Sequence, residues 1–179
     1  PGKEMAINPG QVFGELNGIA AKDPTFGLDT VWIEPTQREE AQAMGYTVVD
    51  AGTVIATHLS QLLKDHAHEF LGHDEVQMLL DNLAKTSPKL VESLVPNLLS
   101  LGAVLKVMQN LLSEGIPIRD VRTIAEALAE GALKSQDPDA LTGGVRMALS
   151  RTIYQKINGL EDELEVLSLE PKLEQMLQD

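Results

Sequence analysis

Four histidines, His58, His66, His68 and His73, fall within sixteen positions and are the first candidates for metal or proton chemistry. On a continuous helix His66 and His68 would stand about 200° apart, so they could not share a face. No pair has the i, i+4 spacing of a helical zinc site. The pattern favours polar helix faces and a connection near Gly72, and a His-dependent metal hydrolase would require stoichiometric metal. Nucleophilic and phosphate chemistry find less support still. The chain has no Cys, no G-x-S-x-G elbow, no P-loop and no G-x-G-x-x-G. Gly143 and Gly144 in "LTGGV" sit inside a helical pattern with no phosphate-binding Lys behind them, which predicts close packing or a kink. Carboxylates are abundant, but an acid–base pair needs burial that sequence does not show. No enzyme is expected, and no cofactor or metal.

Two further stretches could bind macromolecules. The segment "VLKVMQNLLSEGIPIRDVRTIAEALAE", residues 104–130, has the form of a helix-turn-helix, two amphipathic helices around a Gly-containing connection. Arg119 and Arg122 would suit a DNA-reading helix, but Asp120, Glu126 and Glu130 share the segment. A helical hairpin with Arg119 and Asp120 at its corner is the plainer expectation. The second stretch is "AKDPTFGLDTVWIEP", residues 21–35, where Phe26 stands between Pro24 and Gly27. A large ring in irregular backbone either plugs a local core or is held outward on a rigid loop as a partner anchor.

The elements that must position these residues follow from periodicity. "TVWIE" at 30–34 and "YTVVD" at 46–50 predict two strands. Between them "TQREEAQAMG" predicts a helix, with Thr36 as N-cap, Glu39 three residues on and Gly45 as its stop. From Thr53 the period becomes helical, and six helices are expected over 54–152, the fifth over about 120–133. Ile55, Leu59, Leu62, Leu63 and Phe70 form one apolar stripe; Val76, Leu79, Leu80 and Leu83 form another; Leu98, Leu101, Leu105, Met108 and Leu112 form a third. Pro88 and Pro96 are expected in first turns, and Asp137 with Pro138 reads as an N-cap followed by N1. "LEVLSL" predicts one more strand, followed by a short helix. The fold class is therefore mixed α/β and mostly helical: a small N-terminal α/β part over 1–53, a helical subdomain over 54–135 and the beginning of a C-terminal α/β subdomain over 136–179.

Charge narrows the partners. The net charge is −13, from 27 acidic and 14 basic residues, which opposes general binding to nucleic acid or an anionic membrane surface. Residues 159–179 hold seven of the acids and one base. No apolar run reaches the roughly 18 residues of a membrane span. The opening "PGKEMA", without an initiator Met, predicts a piece excised from a longer chain.

Taken together, "AINPG" (6–10), "DPTFGLDTVWI" (23–33), "GYTVVDAGTVIATHL" (45–59), "LVPNLLSLGAVLKVMQNLLSEGIPIRDVRTIAEALAE" (94–130) and "DPDALTGGVRMALSR" (137–151) resemble the cytoplasmic part of the FlhA family of flagellar type III export gates. That family is related to the export gates of virulence secretion systems. The resemblance implies a docking platform that receives export chaperones with bound substrates, contacts other export-apparatus components and self-associates into a nine-membered ring. It also implies a place at the cytoplasmic face of the bacterial inner membrane, reached through an N-terminal membrane domain outside this chain. The family's docking dimple carries over as Asp23, Phe26 and Thr57, with Pro9 and Val49 as flanking apolar positions. A virulence-type export gate is the alternative within the family, and a helix-turn-helix nucleic-acid regulator is the alternative of another class.

Overall fold

A computed structural model of the chain describes residues 2–159 and, beyond them, 166, 168, 170, 173, 175 and 176. Of the strand expected in "LEVLSL" only Val166 and Ser168 are described, neither in a strand, and of the helix after it only Leu173, Gln175 and Met176, which are helical. Packing divides the chain into two units, Pro1–Phe70 and Leu71–Asp179. The fold is mixed α/β and mostly helical.

In the first unit four strands, β1 (Glu4–Ile7), β2 (Ile19–Lys22), β3 (Asp29–Ile33) and β4 (Thr47–Asp50), form one sheet in the order β2-β3-β1-β4. Both β3 and β4 pair antiparallel with β1. They therefore run parallel to each other with β1 between them, a split crossover through helix α1 (Arg38–Ala43). Sequence reasoning found β3, α1 and β4 but not β1 and β2, whose "EMAI" and "IAAK" carry few of the β-branched and aromatic residues that signal a strand. Alternation divides the sheet faces. Ala6 and Ile33 pack with Ala41 of α1 and with Tyr46, whose hydroxyl donates to Gly14 O at 3.2 Å. Met5, Trp32 and Val49, in register across β3, β1 and β4, face the other way.

Helix α1 is capped differently from the Thr36 and Glu39 expectation. A 3-10 turn, Pro35–Gln37, precedes it, and Gln37 Oε1 accepts from Glu34 N at 3.1 Å. Pro35 is the reason: its fixed φ suits a first-turn position and moves the cap two residues upstream, from Thr36 to Glu34. Gly45 ends the segment with φ +92°, as expected of a glycine stop. Gly18 admits the start of β2 against β3, since a Cβ there would lie 2.4 Å from Trp32 O and 2.6 Å from Val31 Cγ1. Gly18→Ala must push backbone apart, and by the cost of overpacking it is expected to destabilise the first unit by about 1 to 3 kcal/mol. A urea midpoint equal to that of the unsubstituted chain would contradict this close approach.

Helix α2 (Ala51–Asp65) begins on Asp50, whose Oδ1 accepts from Thr53 N at 2.9 Å. It packs on β1 and β4, with Val54 buried. Its other apolar residues depart from expectation: Ile55, Leu59, Leu62 and Leu63 form a stripe, but all four are exposed, as is Phe70.

The second unit is helical: α3 (His73–Ala84), α4 (Pro88–Glu92), α5 (Leu101–Ser113), α6 (Val121–Gly131), α7 (Pro138–Ala148) and α8 (Ser150–Asn158). Its core joins Val76 and Leu80 of α3, Met108 and Leu111 of α5, Ile124 and Leu128 of α6, and Val145 of α7. Ser100, Asp120 and Asp137 cap α5, α6 and α7, accepting from Ala103 N, Thr123 N and Ala140 N at 3.1, 3.1 and 3.0 Å. Pro88 opens α4 as expected. Pro96 does not open a helix: it lies inside Ser93–Leu98, after a cis peptide and the extended Val95 (φ −124°, ψ 126°). Gly143 and Gly144 lie within α7, and among the described residues a Cβ at either would meet nothing within 4 Å, so close packing against these does not account for them. The segment with helix-turn-helix form is α5 and α6 joined through residues 114–120; both pack against α3 and α7, and Asp120 caps the second.

Candidate functional site

Residues 23–28 join β2 to β3, so the Phe26 segment is a hairpin loop and not irregular backbone leading into a lone strand. Its ends are tied by the sheet: Lys22 faces Asp29, their side chains pair at 2.8 Å, and Asp23 N donates to Leu28 O at 2.8 Å. Between those ends the chain makes one helix-like turn. Asp23 is its cap, Oδ2 accepting from Thr25 N at 3.1 Å and from Phe26 N at 2.5 Å. Pro24 follows at the position where a turn of this kind needs no amide donor. Gly27 N donates to Asp23 O at 2.9 Å, and its φ of +69° returns the chain to the sheet, a conformation open to glycine at little cost.

The turn separates the side chains of Asp23 and Phe26. Asp23 is 6% exposed and spends its carboxylate on the loop, while Phe26 is 67% exposed and carries its ring into solvent. Pro9 lies at the same end of the sheet, because Ile7 is in register with Thr30 and Asn8 N donates to Asp29 O at 2.9 Å. Pro9 is exposed. Val49 is half-buried in β4 on the face that also presents Met5 and Trp32. Thr57 is exposed on α2, three residues beyond buried Val54. The five positions thus fall in one unit: Pro9, Asp23 and Phe26 at one end of its sheet, Val49 within the sheet and Thr57 on α2. The surface around the loop also includes exposed Leu28, which sequence reasoning did not select.

The histidines are arranged otherwise than a continuous helix would place them. Helix α2 stops at Asp65 and a 3-10 turn, Ala67–Glu69, follows. His66 and His68 are therefore brought together, rings stacked with centroids 6.5 Å apart. His66 Nδ1 lies 2.7 Å from Glu69 Oε1, and His68 Nε2 lies 4.0 Å from it. Among the described residues no group of three or more His, Asp or Glu side chains is placed to hold a metal. The Glu69 hydrogen bond, helped by its charge and that of Asp65, raises the His66 pKa above 6.5. The resulting stabilisation is complete below pH 6.5 and fades as pH rises through the elevated folded value. An NMR titration is expected to give His66 a midpoint above 6.5 that falls in Glu69→Gln. A midpoint indifferent to that substitution would show that Glu69 is not the cause.

The chain matches the model of the FHIPEP family over residues 1–179. It is 51% identical over 177 residues to the flagellar biosynthesis protein FlhA of Escherichia coli K12, which covers 99% of this chain and 26% of that protein. The chain thus spans about a quarter of the length of such relatives. Among solved structures it resembles the CdsV protein of Chlamydia pneumoniae, with a TM-score of 0.83 and 26% identity over 100% of this chain and 52% of that one. It also resembles the nonameric EscV cytosolic domain of a type III secretion system, with a TM-score of 0.60 and 27% identity over 82% of this chain and 46% of that one. A family match along the whole chain, joined to the same fold in CdsV, places this protein in the FHIPEP family.

Proposed function

We propose that this chain is part of the cytoplasmic docking platform of a flagellar type III export gate. In this role it receives export chaperones with bound cargo and passes the cargo toward the export channel. The observation that carries the proposal is Phe26, a large apolar side chain held in solvent by a hairpin turn with a cap at one end and a glycine at the other. A backbone turn already fixed in place loses little freedom on binding, and exposed aromatics of this kind are the usual anchors of protein interfaces. The partner site is the surface of Phe26, Thr57, Val49 and Pro9 together with Asp23, which belongs to it as the cap of the Phe26 turn, and the recognition mode is an amphipathic helix of the chaperone laid against apolar residues.

Identity of 51% to a flagellar relative, against 26% to CdsV, favours the flagellar over the virulence assignment. The nonameric EscV domain supports a ring of copies. The platform is held at the inner membrane by parts of the protein outside this chain. Net charge of −13 argues against the nucleic-acid alternative, and the role needs no catalysis. Calorimetric titration of a purified flagellar chaperone–cargo complex into the chain is the direct test. Saturable one-to-one binding supports the proposal, and absence of binding at concentrations of about 100 µM, where complexes with Kd of about 10 µM or tighter are mostly formed, refutes it for this chain.

A further inference from the structure

We infer that Asp23 is a positioning residue: it serves partner binding by holding the Phe26 turn in shape through its hydrogen bonds to the loop amides, and not by meeting the partner with its charge. The inference rests on the docking role proposed for Phe26. An acidic residue beside an exposed aromatic suggests, from sequence alone, a charged contact that would fix the register of an incoming helix. The geometry points elsewhere. Asp23 is 6% exposed, so little of it is available to a partner. Its Oδ2 accepts from the amides of Thr25 and Phe26, at 3.1 and 2.5 Å. The second of those donors is the backbone of the anchor residue itself.

The same residue closes the turn at both ends. Its amide donates to Leu28 O at 2.8 Å and its carbonyl accepts from Gly27 N at 2.9 Å. A side chain that ties residues 25 and 26, in a residue whose backbone ties 27 and 28, sets where the ring of Phe26 stands. Without it the amides of Thr25 and Phe26 lose their acceptor, the turn samples other conformations, and the ring must be ordered again on every binding event. What the turn requires is an acceptor oxygen at that place. A negative charge strengthens the bond but is not essential to it, because asparagine caps turns of this kind nearly as well.

The test compares Asp23→Asn, Asp23→Ala, Phe26→Ala and the double variant Asp23→Ala/Phe26→Ala, titrating each with the same chaperone–cargo complex. Amide hydrogen exchange of residues 25 and 26 is followed in parallel by NMR. Asp23→Asn is expected to bind within about threefold of the unsubstituted chain and to keep both amides protected, since a neutral cap retains most of a charged cap's strength. Asp23→Ala is expected to lose protection at both amides and to bind about tenfold more weakly, the cost of reordering one turn. In the double variant the Asp23 effect should vanish, because with the ring gone there is nothing left to position.

Three results would overturn the inference. One is equal loss of binding in Asp23→Asn and Asp23→Ala with protected amides, which would mean that the charge touches the partner. Another is additivity of the two alanine substitutions. The third is unchanged exchange in Asp23→Ala, which refutes the clamp whether or not any partner binds. Failure of Phe26→Ala to weaken binding would remove the docking role and leave the exchange experiment to judge the clamp alone, so the two failures are distinguishable. Thermal melts of all four variants guard against general unfolding.

Discussion

Phe26→Ala is expected to bind a flagellar chaperone–cargo complex more weakly by about 2 kcal/mol or more, roughly thirtyfold in Kd, while melting with the unsubstituted chain. The two halves of this expectation come from the same number. With two-thirds of the residue in solvent, truncation removes little that is packed in the free protein. The backbone that holds it does not depend on the ring, since the turn is tied by Asp23, Gly27 and Leu28 through main-chain atoms and one carboxylate. An anchor in a binding interface behaves in the opposite way, because the partner buries what the free protein leaves exposed and the whole ring is then lost to Ala. Calorimetry with parallel melts separates the outcomes. A lowered melting temperature would make Phe26 a plug of the local core, the other meaning an aromatic in a breaker-rich loop can have. Unchanged affinity with an unchanged melt would leave Phe26 without either role and move the search for an anchor to Leu28 and Pro9, its exposed neighbours.

The Phe26 turn also shows how far the sequence could be followed. Asp137 with Pro138 is legible as a helix start, and α7 begins there. Asp23 with Pro24 is the same signal, cap followed by N1, yet its turn is one residue triplet long because Gly27 ends it at once. A signal for helix initiation does not carry the length of what it initiates. The strand before the turn was hidden for a related reason: "IAAK" is an edge strand whose outward positions touch little, so few β-formers are needed there. Histidine spacing misled in the other direction. An angle of about 200° between His66 and His68 holds only on an unbroken helix, and the helix ends at Asp65, where no glycine or proline marks the stop. Helices of the second unit were legible because their apolar spacing coincides with burial. The stripe on α2 has the same spacing without the burial, which periodicity cannot distinguish.

That contrast gives a second large effect. Leu128→Ala in α6 is expected to destabilise the chain by about 2 to 5 kcal/mol, the range for deleting a fully enclosed leucine. Leu128 is 0% exposed and lies in the cluster that joins α3, α5, α6 and α7. Removing three carbons there costs transfer free energy and leaves a space that surrounding side chains of four helices can close only in part. Leu59→Ala in α2 removes the same atoms from a stripe of the same period, but from a side chain that is already more than half in solvent. Its cost is expected to stay within about 0.5 kcal/mol, as for surface substitutions away from special contacts. Urea unfolding of the two variants therefore tests burial at fixed chemistry and similar helical context. If both cost the same small amount, the cluster around Leu128 is not a packed core. If Leu59→Ala costs as much as Leu128→Ala, the α2 stripe is buried in solution, and whatever covers it contributes to the stability of the chain as much as the helical core does.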